Sequence, residues 1–540
     1  MPVLTAIDVL GVQRFIFQSN RLRDVVAGSY LVHWGTSGEG ALKGLVALEK
    51  ILLAGGGNAL LESTSMEEAR SLAARYTRRL HDEAPGLEVA LVHKEYNKGS
   101  LAKAIQEVQI ELARVKTERS PSAPLLGLSV TASCRETGLP ASGFDPNEST
   151  VPLSRGILKR REKRDEAARH WRDYLKDKNE FAFPMELDDL ARTLGDTSLI
   201  GVVHIDGNSV GQKIGVVHID GNSVGQKIKE WLKKKSENGA DDDTVRREYR
   251  EWSEAIDRLG REALKVVVGR VQQCVEKKVE NGTERVKITG RPARLGFELK
   301  KVGGAWMLPL RPILLGGDDL TFVCDGRIAL DLAATALSVF EKSNVPHLGR
   351  ITACAGVAMV RVHAPFARAY DLAEALCASA KGMLRQQNDP GCAVDWHIGT
   401  CRPGESVEAI RKRQYQAAGC RLTCRPYRLG SGRAEAETWR WLSGTLLHDR
   451  TAGLREGPWA GRRNKVKALA ELAREGPDSV KETLKAWKVV DKVLKFPTAI
   501  EENGFFAATR TPLIDALELL DLHLELDAAP DHQGKEEKTP

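Results

Sequence analysis

Residues 311–324 read RPILLGGDDLTFVC and predict two strands joined by a tight turn. One apolar run leads into Gly316-Gly317, and a second begins directly after Asp318-Asp319. Glycine adopts the backbone angles of tight turns that strain other residues. Two adjacent carboxylates are therefore predicted at the tip of a hairpin. There they are either solvated turn residues or ligands for a cation.

The composition is that of an ordinary globular protein, with 540 residues of which 42% are hydrophobic and 28% are charged. The length predicts about three domains. No apolar run approaches the ~20 residues of a membrane-spanning helix, and no basic segment precedes the first predicted strand. We therefore expect no signal peptide, no membrane partner and a cytoplasmic location. The net charge of +7 is compatible with nucleotide or RNA partners but does not identify them.

The first 118 residues have the predicted element order βαββαβ. A strand at residues 2–10 is followed by helical segments up to about residue 50. Two strands then flank Gly55-Gly56-Gly57-Asn58, before a helix at 66–83 and a further strand at 87–92. This is the ferredoxin-like order, in which the first strand lies beside the third at the centre of the sheet.

The same order recurs after residue 196, with the Gly-Gly-Asp-Asp hairpin between its second and third strands. The hairpin of the first copy has Gly57 and Asn58 where the second has acids, so the turn does not need the acids for its structure. We predict an α+β protein with two ferredoxin-like domains. The predicted organisation is a first ferredoxin-like domain (1–118), a linker and charged helical segment (119–195), a second ferredoxin-like domain (196–430), a helical domain (431–527) and a disordered tail (528–540).

Residues 201–214, GVVHIDGNSVGQKI, recur identically at 215–228. Only one copy can form the central strand, because the sheet has a single such position. We expect the second copy to form it, since a helical run follows it directly and since linkers accept insertions at less cost than tight turns. That arrangement places Asp220 at the end of the strand, whereas use of the first copy would place Asp206 there.

The end of the first strand of a βαββαβ sheet lies next to the hairpin, so Asp220 or Asp206 is expected beside Asp318 and Asp319. Three neighbouring carboxylates repel one another unless cations neutralise them, and oxygen ligands favour Mg²⁺ or Mn²⁺. Two such ions suit nucleotidyl transfer or cyclisation, because phosphoryl transfer needs mainly positioning and charge neutralisation. Lys381 is either a triphosphate contact or a solvated helix lysine.

Other candidate sites in the sequence carry weaker signals. The nine cysteines are scattered, several of them in apolar runs where buried reduced thiols are common. Cys420 and Cys424 have a metal-like spacing without a second pair, which argues against zinc. His81-Asp82 and His448-Asp449 are isolated pairs in helical segments, and we interpret both as non-catalytic.

Several short motifs follow one another over roughly residues 1–430, and as a set in this order they are specific, although each alone is weak. They are Asp8–Phe17 (DVLGVQRFIF), Leu22-Arg23-Asp24, Gly55-Gly56-Gly57-Asn58, His218-Ile219-Asp220-Gly221-Asn222, Gly316-Gly317-Asp318-Asp319, Ala364-Pro365-Phe366, Ala380-Lys381 and Arg425-Pro426-Tyr427. With these motifs the chain resembles the large, polymerase–cyclase subunit of type III CRISPR effector complexes, the "Cas ten" family, which implies palm domains of the nucleotide-cyclase and polymerase type.

The resemblance implies two palm domains packed face to face, with the second catalytic and the first holding an acceptor nucleotide. It implies conversion of ATP to cyclic oligoadenylate in antiviral defence, with other effector subunits and guide or target RNA as partners. The C-terminal helical domain would contact the small subunits of the complex. The implied metal ligands are Asp318, Asp319 and one of Asp220 and Asp206, and the implied nucleotide-binding residues are Gly316, Gly317, Lys381, Gly55, Gly56, Gly57 and Asn58.

Two departures from the family pattern leave alternatives open. The chain starts at the first palm domain, without the N-terminal HD nuclease domain that such proteins often carry. The stretch that matches the family's zinc module keeps only Cys134, so no zinc is expected there. The alternative functions are a cyclic mono- or dinucleotide cyclase of the same fold and a non-catalytic scaffold subunit of an RNA-guided complex.

Overall fold

A computed structural model of the chain describes residues 1–119, 127–190, 199–207, 223–280, 282–362, 364–399, 402 and 404–526. These residues form a mixed α+β protein in which a four-stranded and a six-stranded sheet are the largest. We call them the first and the second sheet. The predicted disordered tail, residues 528–540, lies outside the described part of the chain.

The first sheet is antiparallel, with its first strand at the centre beside the third and the fourth. This neighbour relation is the one that the element order predicted. The central strand is buried from Val3 to Val9, on both of its faces, which its nearly continuous apolar sequence requires. The strands are β1 (Val3–Leu10), β2 (Ile51–Gly55), β3 (Asn58–Ser63) and β4 (Glu88–Glu95).

The helices of this part of the chain are amphipathic or buried. The helix at 66–83 begins with a reciprocal cap, in which the Ser65 hydroxyl accepts from the Glu68 amide and the Glu68 carboxylate accepts from the Thr64 amide. The helical run predicted up to residue 50 ends at Thr36, and turns follow it. The helices are α1 (Val12–Ile16), α2 (Leu22–Thr36), α3 (Met66–Glu83) and α4 (Leu101–Glu118).

The segment between the sheets is less helical than its charged sequence predicted. Its elements are β5 (Gly143–Phe144), β6 (Pro152–Leu153), α5 (Arg155–Glu162), α6 (Arg164–Arg172) and β7 (Phe181–Ala182). Arg161 on α5 is buried and pairs with Asp145 and with Asp24 of α2, the latter at 3.5 Å. Because unpaired buried charges are costly, this cluster fixes the segment against α2.

From residue 199 onward most strands are short, and six of them form the second sheet in the order β14-β15-β8-β16-β17-β20. They are β8 (Leu199–Gly207), β9 (Val275–Glu280), β10 (Thr283–Ile288), β11 (Phe297–Glu298), β12 (Lys301–Val302), β13 (Ala305–Met307), β14 (Leu310–Gly316), β15 (Asp319–Asp325), β16 (Ala353–Arg361), β17 (Ala393–Ile398), β18 (Gln416–Ala417), β19 (Cys420–Arg421) and β20 (Tyr427–Arg428). β8 lies between β15 and β16 and pairs antiparallel with both.

The duplicated unit is divided between two elements, so our prediction for the central strand was wrong. The first copy, not the second, forms β8, and the helix that follows begins at Ser223 in the second copy. The apolar pair Leu199-Ile200 explains the choice, because it extends the strand and pairs with β15 and β16. The second copy is preceded by Lys213-Ile214 instead, which would bring a lysine into the sheet. Asp220 lies outside the described residues.

The helices around the second sheet include two long ones, and α10 packs closely on β16. A Cβ atom at Gly356 of β16 would lie 1.8 Å from the Ala373 carbonyl of that helix, so only glycine permits this approach. The longest helix, α8, ends at Gln273, and β9 begins at Val275. The helices are α7 (Ser223–Glu237), α8 (Asp242–Gln273), α9 (Ala329–Glu341), α10 (Phe366–Gln386), α11 (Val407–Gln414), α12 (Trp439–Trp441), α13 (Arg463–Glu475), α14 (Pro477–Val490) and α15 (Leu513–Leu519).

The two sheets meet through the β2–β3 and β14–β15 hairpins. A Cβ atom at Gly316 would lie 2.9 Å from the Gly56 Cα, so the two backbones touch with no room for side chains. The Ser29 hydroxyl of α2 donates to the Ile313 carbonyl of β14. Arg246 of α8 forms a bidentate pair with Glu62 of β3, at 2.8 and 2.9 Å. The glycine contact joins the two hairpin tips, and the other two contacts join the sheets away from them.

No helix in the described part of the chain is long and apolar enough to cross a membrane. Each cysteine described is buried and free of disulfide bonds.

Gly260 of α8 tests how tightly that helix holds the β14–β15 turn. A Cβ atom there would lie 2.0 Å from the Gly317 carbonyl oxygen, whereas one at Gly269 of the same helix would meet only the Lys176 side chain, at 3.8 Å. We expect Gly260→Ala to lower the free energy of unfolding by about 1–3 kcal/mol through overpacking. Gly269→Ala, the matched control, should be neutral or stabilise by up to about 1 kcal/mol. Denaturant unfolding measures both, and equal stability of the two variants would contradict the close packing.

Candidate active site

The β14–β15 turn is the centre of the candidate site. Gly317 has φ 67°, a left-handed conformation that favours glycine, and Gly316 pairs with Asp319 across the turn. Asp318 therefore lies at the tip, and Asp319 is the first residue of β15. The packing of α8 on Gly317 fixes the turn from one side. The sequence-predicted hairpin, with its two acids, is present.

His204 and Asp206 are two residues apart on β8, so they lie on the same face of the sheet. His204, Asp206 and Asp319 each have one potential metal-ligand atom, and these three atoms lie within 4.8 Å of one another. The imidazole Nδ1 of His204 is hydrogen-bonded to the Thr321 hydroxyl at 3.1 Å, which orients the ring. Two carboxylates and an imidazole form a donor set suited to a divalent cation such as Mn²⁺ or Mg²⁺.

Asp318 is almost completely buried beside the other two carboxylates. Its side chain is 8% exposed, and its Oδ2 accepts no hydrogen bond from any residue that the structure describes. Burial, followed by repulsion from Asp206 and Asp319, raises the pKa of Asp318 well above its usual range. A buried carboxylate of this kind is stable when ionised only if a positive charge approaches it.

Lys381 lies on α10 and forms an ion pair with Asp206. Burial favours its neutral form, but the Asp206 carboxylate and the nearby Cys377 and Cys354 together raise the pKa of Lys381. The lysine is thus held charged at the end of β8. The sequence-based role of Lys381 as a triphosphate contact stays a prediction.

The first sheet repeats this arrangement without the hairpin acids. Gly55 pairs with Asn58 as Gly316 pairs with Asp319, which places Asn58 at the position of Asp319. Asp8 at the end of β1 lies opposite Asn58 and forms an ion pair with Lys116 of α4. The strand-end acid and the helix lysine are therefore present in both sheets, and the hairpin carboxylates only in the second.

A cavity of about 690 Å³ lies between the two hairpins, within the range of small-molecule sites. Its walls include Gly55, Gly56 and Asn58 from the first hairpin and Gly316 to Asp319 from the second, together with Asp206. The structure thus brings these sequence-predicted residues together. Gly57 is an exception, because it turns away from this cavity and its amide donates to the Thr36 hydroxyl at 3.2 Å.

Several residues of this cavity were missed by sequence reasoning. His204 was detectable, since its two-residue spacing from Asp206 puts both on one strand face. Gln13 of α1 and Glu374 of α10 join the two halves through a 2.7 Å hydrogen bond, and Tyr370 lies beside them. Their proximity depends on how the sheets dock, which no local pattern indicates.

No family model matches the chain, and no curated protein matches it. Solved structures do. A Csm1–Csm4 cassette in complex with cA3 is 12% identical, with a TM-score of 0.51 over 97% of this chain and 70% of the solved one. The same cassette with one ATP gives 13% identity, a TM-score of 0.51 and the same coverage.

Csm1 from T.onnurineus is 14% identical, with a TM-score of 0.51, again over 97% of this chain and 70% of that one. Csm1 is a protein of the "Cas ten" family that the sequence motifs resemble. At these identities the likeness concerns the fold. The resemblance predicted from the motifs is therefore confirmed at the level of the fold: this chain is built like Csm1.

Proposed function

We propose that the chain is a nucleotidyltransferase that converts ATP to cyclic oligoadenylate in CRISPR antiviral defence. The observation that carries the proposal is the convergence of Asp206, Asp318 and Asp319 on one cavity between two hairpins. Two neighbours of the same fold were crystallised with cA3 and with ATP, which are a product and a substrate of such a reaction. The similarity of the fold supports this function, and the carboxylate cluster provides the metal ligands that nucleotidyl transfer needs.

The proposed organisation is two ferredoxin-like palm domains, at residues 1–118 and 196–430, with a helical domain at 431–527. The strand orders β2-β3-β1-β4 and β14-β15-β8-β16 support it, because each places the first strand of its βαββ unit at the centre. The proposed partners are ATP, other effector subunits, including one that corresponds to Csm4, and guide or target RNA. The proposed location is the cytoplasm.

The donor set fits Mg²⁺ or Mn²⁺. Asp206, Asp319 and His204 would hold one cation, and the buried Asp318 oxygen, which has no hydrogen-bond partner in the described part of the chain, would be a further ligand. Bound cations of this kind activate an attacking hydroxyl and neutralise a departing pyrophosphate. In the first sheet Asn58 and Gly57 replace the two acids, so that half would bind a nucleotide without binding a metal.

The remaining residues position the two nucleotides. The glycine contact between Gly56 and Gly316 leaves backbone exposed at the cavity wall, where a nucleotide can approach closely. Lys116 lines the cavity on the side of the first sheet and would bind a phosphate by exchanging its contact with Asp8. Lys381 would exchange its contact with Asp206 for a triphosphate when Asp206 binds a cation.

A scaffold subunit is the second candidate function, because the repeated unit adds a stretch of chain directly after Asp206. A cyclic mono- or dinucleotide cyclase uses the same cavity and would differ only in its product.

Replacing the hairpin acids should abolish turnover. We expect Asp319→Asn and Asp318→Asn each to reduce product formation from radiolabelled ATP, with Mn²⁺ and RNA present, by roughly 100-fold or more, because charge stabilisation is lost. Asp243→Asn is the matched control, since that carboxylate is 93% exposed on α8. Chromatography of the products separates rings of adenylate from cyclic mono- and dinucleotides. Turnover that survives both hairpin substitutions would refute the proposed site, and absence of turnover in the unmodified protein would favour the scaffold.

Metal binding can be measured without turnover. Mn²⁺ at about 100 times its Kd should stabilise the protein by about 2.7 kcal/mol, seen as a rise in Tm over a sample with EDTA. We expect Asp206→Asn and Asp319→Asn to lose this rise. Asp8→Asn, the equivalent change in the first sheet, should keep it. An equal rise in all three variants would place the metal elsewhere.

A further inference from the structure

A second cavity, of about 640 Å³, lies away from the candidate active site. Its walls come from α6, from residues 175–183, from the turn between β12 and β13, and from Arg311. It shares no lining residue with the cavity between the hairpins. Arg311 is near the start of β14, whereas the Gly-Gly-Asp-Asp turn follows the end of the same strand. We call it the Arg311 cavity.

Arg311 is a buried cation with no acidic partner among the described residues. The residue is 1% exposed, and neither its Nε nor its Nη2 has a hydrogen-bond acceptor in that part of the chain. The ring centroid of Phe183 lies 5.7 Å from the guanidinium carbon. Burial lowers the pKa of Arg311 to about 9. By contrast, the equally buried Arg425 is paired with Asp515 at 2.8 Å and with Glu518 at 3.1 Å.

This difference points to a ligand. Burying a guanidinium costs several kcal/mol unless an anion and hydrogen-bond acceptors compensate it. Arg425 is compensated within the protein, and Arg311 lines a cavity that is large enough for a small molecule. A planar guanidinium binds a phosphate or carboxylate in a bidentate manner, and the Nε and Nη2 of Arg311, which lie beneath the cavity surface, have no such partner among the described residues.

The rim of the Arg311 cavity is positive. Arg169, Arg172 and Lys178 line it and are exposed, and Asp165 is the one acidic residue in the described lining. The guanidinium of Arg172 donates to the Lys178 carbonyl at 2.8 Å, and that of Arg169 to the Asp165 carbonyl at 3.2 Å. Lys178 is paired with Asp173, and the charge of Arg169 interacts with that of Glu166. Arg172 has no acidic partner among the described residues, so its charge remains available to attract an anion.

The inner wall is partly aromatic and partly bare backbone. Phe181 and Phe183 line the cavity on the side of β7. The opposite turn contains Gly303 and Gly304, with φ 59° and 88°, and a Cβ atom at either position would meet no atom within 4 Å. Aromatic rings beside a cluster of cations are the combination that binds the base and the phosphate of a nucleotide.

We propose that the Arg311 cavity is a second nucleotide site, in which Arg311 binds a phosphate group and the phenylalanines contact a base. The phosphate belongs either to a free nucleotide or to the backbone of single-stranded RNA, which present the same chemistry. The site is separate from ATP turnover and does not depend on the hairpin acids.

Photo-crosslinking tests the proposal in the full-length protein. The probe is 8-azido-AMP, applied in EDTA, and the labelled peptides are identified by mass spectrometry. Labelling of residues 175–183 or 301–311 reports the Arg311 cavity, whereas labelling of residues 51–58 or 314–319 reports the site between the hairpins. The two sites are thereby distinguished within one experiment.

We expect Arg311→Met to weaken labelling of the Arg311 cavity about tenfold or more, because a charge-assisted bidentate contact is lost. Arg172→Met on the exposed rim should weaken it less and does not disturb the core. Arg247→Met, an exposed arginine of α8 outside both cavities, is the matched control and should keep full labelling. Asp318→Asn should keep it as well.

Competition identifies the source of the phosphate. If AMP and inorganic phosphate displace the probe as well as a short oligouridylate does, the ligand is a free nucleotide; if the oligonucleotide is much more effective, it is RNA. Either result supports a phosphate site. Absence of labelling in the unmodified protein, or labelling that persists in both Arg311→Met and Arg172→Met, would overturn the proposal.

Discussion

The contact between the Gly56 and Gly316 backbones is the constraint on which the rest of the structure depends. Two hairpins can approach so closely only where neither carries a side chain, and this approach brings both hairpin tips and Asp206 of β8 to the walls of one cavity. Hydrogen bonds around this contact, such as that from the Ser29 hydroxyl to the Ile313 carbonyl, then hold the two parts of the chain together. A larger residue at Gly316 would separate the hairpins and open the cavity, even if all the carboxylates were retained.

The repeated arrangement explains why only one half is proposed to bind metal. Both halves have a strand-end aspartate paired with a helix lysine, Asp8 with Lys116 and Asp206 with Lys381. One lysine balances one carboxylate, so the first half is electrically neutral at this point. The second half adds Asp318 and Asp319, and the surplus negative charge is what a divalent cation would neutralise.

The sequence predicted what depends on local pattern. The hairpin glycines, the strand-end acid and the central position of the first strand follow from turn chemistry, alternation and element order, and all are present. It could not predict the cavity, since Gln13 and Glu374 meet only after the sheets dock. It also could not reveal that Arg311 is buried with no acidic partner among the described residues, because an arginine in a strand is expected to be solvated until the packing around it is known.

The duplicated unit shows where a local argument fails. The cost of an insertion in a tight turn led us to place the second copy in the sheet, but strand pairing decided otherwise. All residues of β8 from Leu199 to Gly207 pair with β16, and Ile200 to Ile205 also pair with β15. The position of Asp206 is therefore fixed by pairing upstream of it and by Lys381, not by the turn that follows. The extra residues after Asp206 therefore do not move its carboxylate away from the hairpin acids. This argues for an active enzyme over a scaffold.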